Sequence, residues 1–204
     1  GKATITGGDV SDDLLDQARA EDQKRKSGIE FVHLDFNRSF PFERDSFDFI
    51  SCCFAIYYAE NVPFTINEIY RANKMGGRFF TTGPMPQNKQ LFYDIIREAT
   101  HKEIPLMPGS SRFSTEFLST IKSMYSKVEL HLFENPLTFE SVEPYIDYTR
   151  ASMSEDRKLW GSFFSNKDDF EKIMQQITEV AKRRLDQDGK LVMTKVVGGI
   201  LATK

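Results

Sequence analysis

The chain has 204 residues, 40% of them hydrophobic and 28% charged, and a formal net charge of −3, which excludes a disordered, collagenous or repetitive protein. The two cysteines, Cys52 and Cys53, are adjacent, so they predict neither a disulfide framework nor a metal site. Because no apolar run approaches about 20 residues and the charge is acidic, we expect a cytoplasmic protein with no membrane and no nucleic-acid partner.

The first half of the chain alternates strands with helices. The predicted strands are 3–9, 29–36, 47–54 and 78–82, and the predicted helices are 11–28 and 61–74. Ser11 is placed to cap the first helix, which Gly28 would end, and Gly76 and Gly77 would end the second. The strand 47–54 is apolar almost throughout, as a strand buried on both faces is. This order predicts an α/β fold with a mostly parallel sheet.

The second half predicts more helix. The predicted helices are 91–99, 117–125, a broken segment at 139–165 and a long amphipathic helix at 170–185, with a loop at 107–111 and strands at 128–133 and 191–203. Gly198 and Gly199 indicate a bulge or a close backbone approach in the last strand. We expect one domain over 1–204, with its core at 1–84, 127–138 and 166–204 and helical cap insertions at 85–126 and 139–165.

Two acidic residues stand where predicted strands end. Asp9 closes the first strand and Asp35 closes the second, with Phe36 beside it. In an open α/β sheet, ligands bind beyond the carboxyl ends of the strands. Asp9 could accept hydrogen bonds from ribose hydroxyls, and Asp35 could accept one from an adenine amine. Each could instead cap a helix or a loop, and both readings stay open.

Three stretches of the first half form an ordered series of motifs: Asp35-Phe36 with Phe40-Pro41-Phe42 and Ser46-Phe47-Asp48-Phe49, then Cys53–Tyr58, then Asn67-Glu68-Ile69-Tyr70-Arg71 through Gly76-Gly77-Arg78. In this series the sequence resembles class I S-adenosylmethionine-dependent methyltransferases that act on small molecules. The resemblance covers residues 3–84 and implies a Rossmann-like, doubly wound sheet. It also implies methyl transfer by in-line displacement, with S-adenosyl-L-methionine as cofactor and a small-molecule acceptor.

The resemblance also implies which residues hold the cofactor. Asp9 matches the acid that holds the ribose, and Val10 matches the residue packed on the adenine. Asp35 and Phe36 match the adenine contacts, while Cys53 and Phe54 match the turn facing the methionyl part. Tyr57 and Tyr58 stand where many relatives have a pair of histidines, between cofactor and acceptor.

The family's glycine-rich motif is not found in this sequence. In relatives a first strand and a loop of E-x-G-x-G-x-G type precede the strand that ends at the ribose acid. Gly7 and Gly8 cannot replace them, because both lie on the strand leading to Asp9. We expect the first β-α unit to be missing from this chain. A longer protein, a fragment and a natural truncation without cofactor binding are the three explanations.

The acceptor pocket is expected under an aromatic lid. Tyr145, Tyr148 and Trp160 are its predicted substrate contacts, together with Tyr57, although these rings could simply cap the core. Tyr58 is the predicted catalytic residue. His33, His101 and His131 are alternative bases, of which His33 is expected to be packed in the core.

Two other functions stay open at this point. The chain could be a non-catalytic methyltransferase-like partner subunit, which a glycine-rich loop upstream would argue against. It could also be another nucleotide-binding α/β enzyme, such as a dehydrogenase, which a dinucleotide titration would decide. The sequence does not identify the acceptor or the oligomeric state.

Overall fold

A computed structural model describes residues 3–104, 111–155, 160–161 and 163–204, so the predicted loop at 107–111 lies outside the described residues except for Ser111. The elements are β1 (Thr6–Asp9), α1 (Asp12–Arg25), β2 (Glu30–His33), β3 (Phe47–Cys53), a 3-10 turn (Ile56–Tyr58), α2 (Val62–Ala72), β4 (Asn73–Pro84), α3 (Gln90–Thr100), a π-helical turn (Phe113–Phe117), α4 (Leu118–Met124), β5 (Lys127–Phe139), α5 (Val142–Glu155), α6 (Lys167–Asp188) and β6 (Leu191–Thr203). The predicted alternation of strands and helices is confirmed.

The strands form two sheets. β1 and β2 pair in parallel, with Thr6 opposite Glu30 and Asp9 opposite His33. The other four strands follow the order β3-β4-β6-β5. β3 is therefore an end strand, and Phe49 at its centre is 54% exposed. The prediction that this strand is buried on both faces is wrong, because Asp48 and Phe49, which point to opposite faces, are both exposed.

The chain divides into two compact units. The first comprises residues 1–81, 119–129 and 201–204, and the second comprises 82–118 and 130–200. The prediction of one domain over 1–204 stays a prediction, and each unit is described by itself.

Both helix ends predicted at glycines in the first unit are wrong. α1 ends at Arg25, where Lys26 takes the left-handed conformation (φ 55°) and its N–H donates to Asp22 O. Gly28 comes two residues later. α2 ends at Ala72, because the next residue, Asn73, starts β4 with a buried amide that donates to Phe47 O at 3.0 Å.

Gly77 lies inside β4 instead of ending a helix. A Cβ at Gly77 would stand 2.8 Å from Lys74 O, so the close approach of two backbone segments requires glycine there.

Helix α6 follows its prediction closely. The Asn166 side chain accepts from Asp169 N at 2.9 Å, and Gly189 ends the helix at φ 73°. Its apolar face belongs to a buried cluster in the second unit that includes residues from α3, α5 and β6: Phe92, Ile95, Ile96, Tyr145, Met153, Trp160, Ile173, Met174, Ile177 and Met193.

The last strand contains an irregularity, but not at the predicted glycines. Leu191 and Met193 are buried, and further along Val196 and Gly198 are buried, so the alternation changes phase at residues 194–195. Gly198 instead serves a close approach, because a Cβ there would lie 2.5 Å from Met85 Sδ.

An ion pair on α2 holds the loop between β2 and β3. Glu68 is only 7% exposed and accepts from Phe40 N at 2.8 Å. Arg71 donates to Glu68 Oε2 at 2.9 Å and to Phe42 O at 2.6 Å. The Arg71 hydrogen bond holds the pKa of Glu68 below its ordinary value. Because every bond partner lies on α2 or on this loop, the pair fixes the loop to the helix.

Lys204 closes the first unit in a similar way. Its side chain is 4% exposed, and Nζ donates to Asp45 Oδ1 at 2.9 Å, Tyr70 O at 2.8 Å and Asn73 O at 2.7 Å. The ammonium also lies 4.4 Å from the centroid of the Tyr70 ring. One buried charge thus satisfies two carbonyls at the end of α2 and the start of β4.

We expect Glu68→Gln to lower the free energy of unfolding at neutral pH by about 2–4 kcal/mol, because Arg71 is left without a charged partner. The folded-state pKa of Glu68 is depressed, so its contribution is present above the ordinary pKa of about 4.3 and is lost as pH falls through the folded-state value. Urea unfolding over an acidic pH series should therefore show a flatter pH dependence in the variant. Glu21→Gln, which removes an exposed ion pair with Arg25, should change stability by less than about 1 kcal/mol. Equal losses in both variants would contradict this prediction.

Lys204→Met should destabilise the protein by about 2–4 kcal/mol, since the carbonyls of Tyr70 and Asn73 lose their buried donor. Thermal unfolding followed by circular dichroism measures the effect. The matched control is Lys24→Met, which removes an exposed pair with Glu21. An unchanged melting temperature for Lys204→Met would show that Nζ does not stabilise this unit.

Candidate functional site

The two predicted acids lie at the same end of the parallel pair. Asp9 is the last residue of β1 and pairs with His33, the last residue of β2, so Asp35 follows only two positions later. Both strands run in the same direction, and their carboxyl ends therefore present both acids along one edge. The structure thus places Asp9 and Asp35 as the sequence predicts.

Each acid caps its own turn and keeps a second oxygen. Asp9 Oδ1 accepts from Ser11 N at 2.8 Å, and Asp35 Oδ1 accepts from Asn37 N at 2.9 Å. Asp35 Oδ2 lies 3.4 Å from the Nε of the exposed Arg38. Asp9 Oδ2 makes no hydrogen bond within residues 3–104, 111–155, 160–161 and 163–204. Capping and ligand binding are therefore compatible in the same carboxylates.

Helix α2 fixes the segment that carries Asp35 and Phe36. The buried Thr65 hydroxyl donates to Phe36 O at 3.0 Å, and Asn37 Oδ1 accepts from Glu60 N at 2.8 Å. These bonds continue the attachment made by Glu68 and Arg71. Sequence reasoning missed Thr65, although a threonine on the apolar face of a predicted helix indicates a buried hydroxyl that needs a partner.

The end of β3 forms a turn with an unusual backbone. Thr81 in β4 is buried and donates to Cys52 O at 2.7 Å, which holds the last residues of β3. Burial raises the pKa of the Cys52 thiol to about 12, so Cys52 is a neutral packed side chain. Cys53 is exposed, and Phe54 takes a left-handed conformation (φ 55°) with an exposed ring. Such a conformation is uncommon for a residue with a Cβ and is concentrated at binding sites.

The two adjacent tyrosines differ in environment. Tyr57 and Tyr58 follow this turn, with ring centroids 4.8 Å apart. Burial, and then the neighbouring Tyr58, raise the pKa of Tyr57 to about 12, so its hydroxyl is protonated at neutral pH. Tyr58 is 73% exposed. Tyr57 is thus a hydrogen-bond donor held in place, whereas Tyr58 is open to an incoming ligand.

The same unit exposes two apolar side chains, one of them directly after Asp9. Val10, which directly follows Asp9, is 60% exposed, and the Phe54 ring is exposed as well. A carboxylate with a spare oxygen next to a bare apolar side chain fits a ligand with both hydroxyls and a flat ring. Three or more His, Cys, Asp or Glu side chains that could hold a metal are not found together in the described residues.

The positions of the three histidines agree only in part with the prediction. His33 is not packed in the core but exposed at the end of β2, with Nδ1 3.1 Å from Asp12 Oδ1. The reason is that β2 stops at His33 and α1 begins beside it. His101 caps the end of α3, as predicted, and His131 is exposed on β5.

The predicted lid residues belong to the second unit. Tyr145 and Trp160 are buried in its apolar cluster, and Tyr148 is half-buried. Burial raises the pKa of Tyr145 well above its usual value. Tyr145 and Trp160 thus pack the core of this unit, and a substrate contact by any of the three stays a prediction.

A depression of about 480 Å³ on the second unit does not involve the predicted site residues. It is lined by charged side chains of α3 and α6 and by the residues after α3: Asp94, Arg97, Glu98, His101, Lys102, Glu103 and Arg184. Arg183 and Arg184 both bond to Glu98, which lowers the pKa of that carboxyl. Since its charges are largely paired with each other, this depression offers little to a ligand.

Comparison with known proteins shows what this chain is similar to. Residues 1–81 match the family described as "Methyltransferase domain". A ubiquinone/menaquinone biosynthesis C-methyltransferase of Desulfotalea psychrophila is 26% identical over 106 residues, which are 52% of this chain and 42% of the relative. A demethylmenaquinone methyltransferase of Clavibacter sepedonicus is 28% identical over 149 residues, 69% of this chain and 58% of the relative. The chain spans about half the length of these curated relatives.

A solved structure shows the fold. A candidate methyltransferase from Bacillus halodurans superimposes with a TM-score of 0.59 at 18% identity, covering 99% of this chain and 83% of the other. The predicted Rossmann-like α/β fold is thereby confirmed. The chain is thus similar to proteins named as methyltransferases, in the family match over residues 1–81 and in both curated relatives.

Proposed function

We propose that the protein binds S-adenosyl-L-methionine at the strand ends of its first unit and transfers a methyl group to a small-molecule acceptor. One observation carries the proposal: Asp9 and Asp35 stand at the same end of two paired parallel strands, each with an oxygen beyond the one used in its turn. The family match over residues 1–81 supports the same cofactor.

Each residue of this edge has a role in the proposal. Asp9 accepts hydrogen bonds from the ribose hydroxyls, and Val10 packs on the adenine. Asp35 accepts a bond from the adenine amine, with Phe36 along the ring edge. The turn at Cys53 and Phe54 faces the methionyl part, where its left-handed backbone turns peptide groups toward the ligand.

The bound cofactor supplies a methyl group on a sulfonium that is already a good leaving group. The chain's own residues therefore mainly align the acceptor, whose attacking atom must approach to about 3–3.5 Å. Tyr57, protonated at neutral pH, lines the acceptor site beside Tyr58. Where the attacking atom is oxygen or carbon, the exposed Tyr58 in its phenolate form accepts the acceptor's proton and becomes a neutral phenol.

The acceptor we propose is a small molecule, in a cytoplasmic setting. One relative is named as a C-methyltransferase of ubiquinone and menaquinone biosynthesis and the other as a demethylmenaquinone methyltransferase, which makes a demethylated quinol a suitable first acceptor to assay. None of the helices in the described residues is long and apolar enough to cross a membrane.

The cofactor role of Asp9 is tested with Asp9→Asn. Asparagine keeps an oxygen for the Ser11 N–H, so the turn is retained while the charge is lost. We expect the affinity of the intact protein for S-adenosylhomocysteine to fall about tenfold or more, because charge-assisted hydrogen bonds to the ribose are weakened. Isothermal titration calorimetry gives the dissociation constants.

Asp16→Asn is the matched control, since Asp16 is exposed on α1 and only pairs with Arg19. Its affinity should equal that of the parent protein. If the parent protein does not bind S-adenosylhomocysteine, or if Asp9→Asn binds as tightly as the parent, the proposed function is wrong.

The role of Tyr58 is tested with Tyr58→Phe. With a hydroxyl or carbon acceptor, we expect turnover to fall about 10²- to 10⁴-fold while the affinity for S-adenosylhomocysteine stays unchanged. Production of S-adenosylhomocysteine measures turnover. Tyr125→Phe is the control, because the Tyr125 hydroxyl is buried without a hydrogen-bond partner in the described residues. Full turnover by Tyr58→Phe would leave Tyr58 without a catalytic role.

A further inference from the structure

Two lysines of the second unit approach the same tyrosine ring. Lys89 Nζ lies 5.1 Å and Lys195 Nζ lies 5.5 Å from the ring centroid of Tyr148 on α5. Because both ammonium groups are within 5.5 Å of one point, they are no more than about 11 Å apart. All three side chains are partly buried and partly open to solvent. We refer to Lys89, Lys195 and Tyr148 as the lysine cluster.

The backbone holds the two lysines close together. Lys89 N donates to the carbonyl oxygen of Thr194, the residue before Lys195, at 2.9 Å. The Asn88 side chain accepts at 3.0 Å from the N–H of Val196, the residue after Lys195. The buried alternation of β6 changes phase at Thr194 and Lys195, which leaves both side chains partly exposed. The cluster therefore rests on ordered backbone and not on a chance meeting of two long side chains.

Among the residues that the structure describes, neither ammonium has a counter-charge. In the described residues no carboxylate pairs with Lys89 or Lys195, whereas Lys74 and Lys204 pair with Asp48 and Asp45. The ring face offers each cation only a weak, undirected attraction. Two ammonium groups that approach one phenol ring, and that have no carboxylate partner in the described residues, are suited to donate to an anion that accepts several hydrogen bonds.

We propose that the lysine cluster binds a phosphate group, either as free phosphate or on a small-molecule ligand. A phosphate monoester carries nearly two negative charges at neutral pH and so matches two ammonium groups, whereas a carboxylate carries one. Lys89 and Lys195 donate from their ammonium groups, and the Tyr148 hydroxyl supplies a third donor. This inference does not rest on methyl transfer, because binding is measured without cofactor or acceptor.

The test measures binding of inorganic phosphate, phenyl phosphate and acetate to the intact protein by NMR titration. Lys89→Met and Lys195→Met should each weaken phosphate binding about tenfold, since each removes a charge-assisted hydrogen bond. Methionine retains an unbranched apolar stem over the ring, so the fold should be kept, and circular dichroism verifies this. Lys190→Met, which changes an exposed lysine of the same unit, should bind like the parent. Tyr148→Phe keeps the ring and removes the hydroxyl, and it should weaken binding by a smaller factor.

Phosphate binding that exceeds acetate binding, and that both cluster variants but not Lys190→Met weaken, supports the proposal. Tighter binding of phenyl phosphate than of inorganic phosphate would identify a phosphorylated small molecule as the source, and the reverse would identify free phosphate. The proposal is overturned if the parent binds no phosphate, or if the three lysine variants weaken binding equally. Failure here leaves the proposed function untouched, because that depends on Asp9 and S-adenosylhomocysteine.

Discussion

The ion pair between Glu68 and Arg71 is the constraint on which one edge of the first unit depends, the edge that carries Asp9 and Asp35. Glu68 holds Phe40 N, and Arg71 holds Phe42 O, so one helix turn fixes the loop that follows Asp35 and Phe36. This attachment restrains a loop of polar and aromatic residues that directly follows the carboxylate of Asp35. The pair is nearly buried, and each charge is satisfied by the other and by loop backbone.

The same logic applies to the other strand end of this unit. Thr81 holds the end of β3, just as Thr65 holds Phe36 O, so hydroxyls on buried faces position both segments. Phe54 takes its left-handed backbone two residues after the Cys52 carbonyl that Thr81 holds. Asp9 is held instead by its own turn, where it accepts from Ser11 N. Attachment of the segments that follow β2 and β3 pre-organises them, which lowers the ordering cost of any binding there.

Prediction from the sequence worked where a signal was local and failed where neighbours decided. Asp9 and Asp35 were placed correctly, since a strand followed by an acid and a capping serine is a local pattern. The helix end predicted at Gly28 was wrong, because Lys26 ended the helix by adopting a left-handed conformation. His33 was expected in the core, yet β2 ends there and exposes it. The role of the Glu68–Arg71 pair could not be predicted from the sequence, because its hydrogen-bond partners in the loop lie about 30 residues away.

The sequence by itself determined the order of strands and helices, the α/β class, the two strand-end acids and the resemblance to methyltransferases. Periodicity, caps and short motifs are properties of neighbouring residues, so they can be recognised without knowing the tertiary structure. Only the tertiary structure decided that β3 is an exposed end strand, that Tyr145 and Trp160 pack a core and that two lysines approach one tyrosine ring. Burial and charge pairing depend on which distant segments meet, and local propensity carries no information about that.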